Sequence, residues 1–111
     1  MLFLDTKAMS KEKILRLFGD NQSVSVISDL NDLSQYKSEV IIHILHDLND
    51  IYLTLSLKNE YRNIVMVSFD YKLVKQIKAK QKSTTTPVVW INNVEEVLAT
   101  IKQIDCLKEA S

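Results

Sequence analysis

Glycine and proline are almost missing from this chain: Gly19 and Pro87 are the sole examples in 111 residues. Loops that cradle phosphate with backbone N–H groups need two or three closely spaced glycines, so nucleotide-binding enzymes built on such loops are excluded. Cysteine is as scarce. Cys106 has no second cysteine to bridge, which excludes a disulfide framework and fits a reducing compartment, where a small apolar filler is its plain role. A glycine-flanked serine elbow is also lacking, so nucleophilic catalysis has little to stand on. No run approaches the roughly 20 apolar residues of a membrane span. Met1 to Leu4, before Asp5, falls short of the about 7 to 15 apolar residues of a signal-peptide core. A cytoplasmic location away from membranes is therefore expected. Excess charge of either sign is absent too: 14 basic residues balance 14 acidic ones. No overall field draws the chain toward nucleic acid, and nucleic acid is not an expected partner.

What is present is the composition of an ordinary globular domain, 46% hydrophobic and 25% charged, long enough to bury about two thirds of its unfolded surface in one core. A single domain over residues 1–105 is expected, with a frayed tail over 106–111. Short apolar runs alternate with helical stripes. Leu2–Leu4, Val24–Ile27, Val40–Leu45, Ile64–Phe69 and Val88–Ile91 read as strands, and the near-continuous apolar run of the third is that of a strand covered on both faces. Pro87 stands just before the fifth, where a proline is tolerated. Ser10 is a candidate N-cap for a helix carrying Ile14, Leu15, Leu17 and Phe18, with Gly19 as its left-handed C-terminal cap. Ser28 to Leu33 reads as a short helix. Leu73, Val74 and Ile77 mark the inner face of another. Asn93, Glu95 and Glu96 open a last helix with Val94, Val97, Leu98 and Ile101 inward. The stretch between the third and fourth strands is ambiguous. Leu48, Ile51, Tyr52 and Leu55 form a helical stripe, yet Leu53 to Leu57 alternates like a strand. A helix is favoured because parallel strands need a crossover; a hairpin turning at Asp47 to Asp50 is the alternative. The expected fold is α/β in three layers, a five-stranded, mainly parallel sheet with helices on both faces.

In such sheets chemistry gathers beyond the C-terminal ends of the strands. There the sequence places Asp5, Asp29, His46, Asp47, Ser68, Asp70, Asn92 and Asn93, residue types that also cap helices without any ligand. His43, His46, Asp47 and Asp50 have metal-binding chemistry, but on a strand His43 and His46 point to opposite faces, so no metal site is expected. His43 reads as a core or interface histidine. Lys72, Lys75, Lys78, Lys80 and Lys82 give one helix a basic outer face, a possible interaction surface that lacks the aromatic residues needed to stack bases. Trp90 and Phe69 read as core or edge packing.

This order of elements resembles the receiver domain of two-component response regulators, a flavodoxin-like fold. The resemblance is carried by Leu2-Phe3-Leu4-Asp5, by Ser28 to Leu33, by Ile64-Val65-Met66-Val67-Ser68 and by Val88 to Leu98. It implies a phosphoacceptor pocket of Asp5, Asp47 and Ser68. The same alignment puts Trp90 where the family has its switch lysine and Thr6 where it has a second acid, and aligned from the strand start Ile44 takes the place of Asp47. Without that lysine and acid, a phosphoryl group would lack charge neutralisation. The expectation is a non-catalytic, receiver-like signalling or interaction module with a degraded phosphorylation site, partnered by another protein or a second copy of itself and using no cofactor. The alternatives are a phosphoacceptor that uses Asp47 with magnesium, or a sensor of small molecules or nucleotides at the same edge of the sheet.

Overall fold

A computed structural model describes residues 1–19, 24–36, 40–61, 63–81 and 86–110, the last five by backbone alone. The described residues form a five-stranded sheet in the order β2-β1-β3-β4-β5, from β1 (Leu2–Leu4), β2 (Ser25–Ile27), β3 (Ile41–Ile44), β4 (Ile64–Ser68) and β5 (Val88–Trp90). Every pairing is parallel, with Phe3 opposite Val26 and Ile42, His43 opposite Met66, and Val67 opposite Val89. This is the flavodoxin-like order, in which strand succession reverses between β1 and β3.

The two-residue period of a strand sends alternate side chains to opposite faces, and each face meets its own helices. Phe3, Ile42, Ile44, Val65, Val67 and Val89 pack with Ile14 and Phe18 of α1 (Lys11–Phe18) and Val97 of α4 (Val94–Ala110). The Phe3 and Phe18 rings lie 5.2 Å apart between centroids. On the other face Leu2, Leu4, Ile41 and Ile64 pack with Leu33 of a 3₁₀ helix (Leu30–Tyr36). Met66 and Val88 pack with Leu73, Val74 and Ile77 of α3 (Tyr71–Lys80). The ambiguous stretch is helical: α2 spans Asp50–Leu57 and supplies Ile51 and Leu57 to that second face. The hairpin alternative is thereby excluded. The result is three layers, with β3 fully buried along its length.

Three local expectations need correction. Gly19 does not adopt a left-handed conformation: its φ is −63° and its N–H continues the helical pattern onto the Leu15 carbonyl. Glycine is suited here by close approach, since a Cβ would press on the Leu15 carbonyl oxygen. Leu15 is 41% exposed because the buried stripe of α1 is Ile14 and Phe18, one turn apart. Ser10 precedes α1, but its side chain makes no cap hydrogen bond; its backbone N–H is drawn instead to the carboxylate of Asp5. At the other end of the chain, α4 opens as expected. Asn93 Oδ1 accepts from the Glu96 N–H, and Glu96 accepts from the Asn93 side-chain amide. Its backbone continues to Ala110. The Cys106 side chain and the other side chains of the tail expected to fray lie outside the described residues, as do Lys82 to Thr85. Among the described residues no helix is long and apolar enough to cross a membrane.

Candidate functional site at the C-terminal edge of the sheet

β1 ends at Leu4 and β3 at Ile44, so the residues that follow each, Asp5 on one side and Leu45 to Asp47 on the other, meet where strand order reverses. Asp5 is fully buried. Its Oδ1 accepts from His46 Nε2 at 2.7 Å and from the Lys7 N–H at 3.2 Å; its Oδ2 accepts from the Met9 and Ser10 N–H groups at 2.9 and 2.8 Å. The segment between β1 and α1 thus wraps the carboxylate, and Ala8 takes a left-handed φ of 55° in doing so. Burial by itself raises the pKa of Asp5. The His46 hydrogen bond and the backbone donors outweigh it, and the carboxyl lies below its ordinary range. Because Asp5 is ionised, the His46 nitrogen facing it carries the proton.

Asp47 turns away from this pair. It is exposed, its Oδ2 lies 2.9 Å from Lys7 Nζ, and its Oδ1 accepts from the Asn49 N–H. The lysine hydrogen bond holds Asp47 below the usual carboxylate range, and the same contact raises Lys7. Asp50, opening α2, accepts from the His46 and Asp47 N–H groups at 2.6 and 3.1 Å. Ser68 is buried, and its Oγ accepts from the Asp70 N–H. Asp70 in turn caps α3 through the Lys72 and Leu73 N–H groups.

Of the candidate pocket residues, then, Asp5 and Ser68 lie at the same edge of the sheet, while Asp47 pairs with Lys7 beside them. A cavity of about 130 Å³ is lined by Ser10 and Lys13 from the start of α1 and by His46, Ser68, Phe69 and Asp70; Asp47 does not line it. Two partners were not legible beforehand. The pairing of His46 with Asp5 and the part of Lys7 beside Asp47 escaped notice because each partner lies about forty residues from its acid; the sign available was that β1 and β3 are neighbours in this strand order.

Trp90 donates its indole N–H to the Phe69 carbonyl at 3.2 Å and meets the Tyr71 ring edge-on at 5.1 Å. The basic face of α3 is partly occupied: Lys75 Nζ lies over the Tyr71 ring, and Lys78 stands 3.9 Å from Glu96. Lys72 and Lys80 are exposed, and Lys82 lies outside the described residues.

His43 is wholly buried within β3. Its Nδ1 lies 2.6 Å from Thr54 Oγ1 on α2, and its Nε2 has no partner among the described residues. Burial pushes its pKa down to about 4. The side chains of His43 and His46 go to different partners, Thr54 and Asp5, and among the described residues no group of three or more such side chains could hold a metal ion. No protein-family model, no curated protein and no solved structure matches this chain.

Proposed function

We propose that this chain is a non-catalytic, receiver-like module of the cytoplasm that acts in signalling by docking to protein, a second copy of itself or a partner domain. The observation that carries this reading is α2. After Asp50 its sequence, Ile51-Tyr52-Leu53-Thr54-Leu55-Ser56-Leu57, holds no charge, whereas a surface helix normally turns a charged or polar face to water. Yet Tyr52 is 71% and Leu55 55% exposed. They are three residues apart and share one outward face of the helix. Exposed apolar surface of this kind is characteristic of a contact face.

The rim of the sheet supports the same reading. The carboxylates of Asp5, Asp50 and Asp70 take donors from their own chain. The position of the switch lysine holds an indole turned to a backbone carbonyl. These groups are occupied in holding loops and helix ends, which leaves little for phosphoryl chemistry.

Sedimentation velocity of the full chain across a wide concentration range, combined with pull-down on the immobilised chain, tests the proposal. Association that is lost in a Tyr52→Glu, Leu55→Glu double variant of unchanged unfolding midpoint is expected. A chain that sediments as a monomer throughout and captures nothing that the variant fails to capture contradicts it.

A further inference from the structure

The two outermost strands of the sheet are not guarded alike. β5 follows Pro87, and Lys78 of α3 and Glu96 of α4 stand 3.9 Å apart and border a cavity together with Val88 and Val89. Proline and charge beside an outer strand keep other chains from adding to it. β2 has neither. Val24-Ser25-Val26-Ile27-Ser28 holds no charge and no proline, and no strand lies beyond β2 among the described residues. Val24, Val26 and Ile27 pack against the core on the two faces of the sheet. The side chains of this strand are therefore engaged, and what remains is its outer backbone.

The direction of that backbone follows from the pairing with β1. The Ser25 N–H donates to the Met1 carbonyl, and the Ile27 carbonyl accepts from the Asp5 N–H. Backbone groups alternate in direction along a strand, so Ser25 and Ile27 face β1, while Val26 turns both its N–H and its carbonyl outward, as do Val24 and Ser28 on either side. Val26 enters none of the backbone hydrogen bonds made outside the helices and the sheet. A residue with donor and acceptor both outward complements itself: two of them, antiparallel across a two-fold axis, exchange both N–H···O bonds. Val26 then stands opposite Val26 and Val24 opposite Ser28, with a β-branched pair at the axis and no charged side chain brought into the paired strands. We infer that two copies of this chain associate through β2, antiparallel about Val26, so that their sheets run on as one. Such a contact is small, and the dimer it makes is weak and reversible. It uses neither Tyr52 nor Leu55 and does not rest on docking through α2.

Sedimentation velocity of the full chain over a wide concentration range, with amide hydrogen exchange followed by NMR at both ends of that range, tests the inference. A dimer at high concentration is expected, with an alternating gain of protection: the Val24, Val26 and Ser28 amides slow, while Ser25 and Ile27, which face β1, do not change. Val26→Pro removes an outward N–H from an outer strand, where proline is tolerated, and should weaken dimerisation about tenfold or more. Ser28→Pro, at an exposed residue, should act in the same direction without touching the core. Unfolding midpoints of both variants, taken at a concentration where the chain is monomeric, read folding separately. The Tyr52→Glu, Leu55→Glu variant should pair through β2 as the unaltered chain does, so failure of this contact and failure of docking through α2 are distinct results. A monomer at every concentration, added protection that does not alternate, a dimer that both proline variants retain, or growth past the dimer without limit overturns the inference.

Discussion

His43 lies in β3, fully buried, with its Nδ1 on Thr54 and its Nε2 without a partner among the described residues. The folded protein keeps it neutral down to about pH 4, whereas the unfolded chain charges it near the ordinary value of 6.5. Between these values the unfolded state binds more protons, so stability rises with pH. The contribution is complete above pH 6.5 and is lost as pH falls toward 4, amounting to roughly 3 kcal/mol. Urea unfolding at pH 7 and pH 4 should register that loss. A His43→Leu, Thr54→Val pair, which removes both polar partners at once, should retain stability at neutral pH and flatten the profile across this window. A profile equally steep in the pair would assign the pH dependence to another group. Ala8 offers a second test. Its φ of 55° strains any side chain with a Cβ, so Ala8→Gly should be neutral or stabilise by up to about 1 kcal/mol despite the greater freedom glycine gives the unfolded chain. A marked loss of stability on thermal melting would mean that the segment around Asp5 is not held in the conformation described.

At the scale of elements, acids and helix ends explain one another. Asp5 gathers the N–H groups of the β1–α1 connection, Asp50 those of the turn into α2, and Asp70 those of α3. Asp70→Ala should cost about 1 kcal/mol, as loss of an N-cap does. Asp5→Asn should cost more, roughly 2 to 4 kcal/mol, because an amide nitrogen would face donors at a buried site and leave His46 without its acceptor. Chemical denaturation of the two variants should preserve that order; an Asp5→Asn variant as stable as the unaltered chain would show that the buried carboxylate does not organise this edge.

Much of this was legible in the sequence. The five strands stand out as apolar runs with polar ends, and the cap of α4 is written in Asn93 and Glu96. The crossover argument chose helix over hairpin for α2, where periodicity alone was ambiguous. What stayed hidden was relational. That Asp5 finds His46 depends on which strands become neighbours, and that Ser10 gives its N–H to Asp5 instead of capping α1 depends on how the β1–α1 connection folds back on the carboxylate. Gly19 was misread because glycine serves close approach as readily as left-handed turns.

For the whole molecule, an all-parallel sheet brings its polar residues to one edge, and this chain spends the carboxylates of that edge chiefly on its own loops. Among the described residues, Tyr52 and Leu55 on the outward face of α2 present apolar surface that folding does not account for. The central claim is that the domain works by contact and not by phosphoryl chemistry. Asp47 is the acid on which that claim turns, being exposed and paired with Lys7. Incubating the full chain with acetyl phosphate and magnesium, and following its intact mass, tests this most directly. The account predicts no phosphoryl adduct on Asp47; a stoichiometric adduct there, lost in Asp47→Asn, would contradict it.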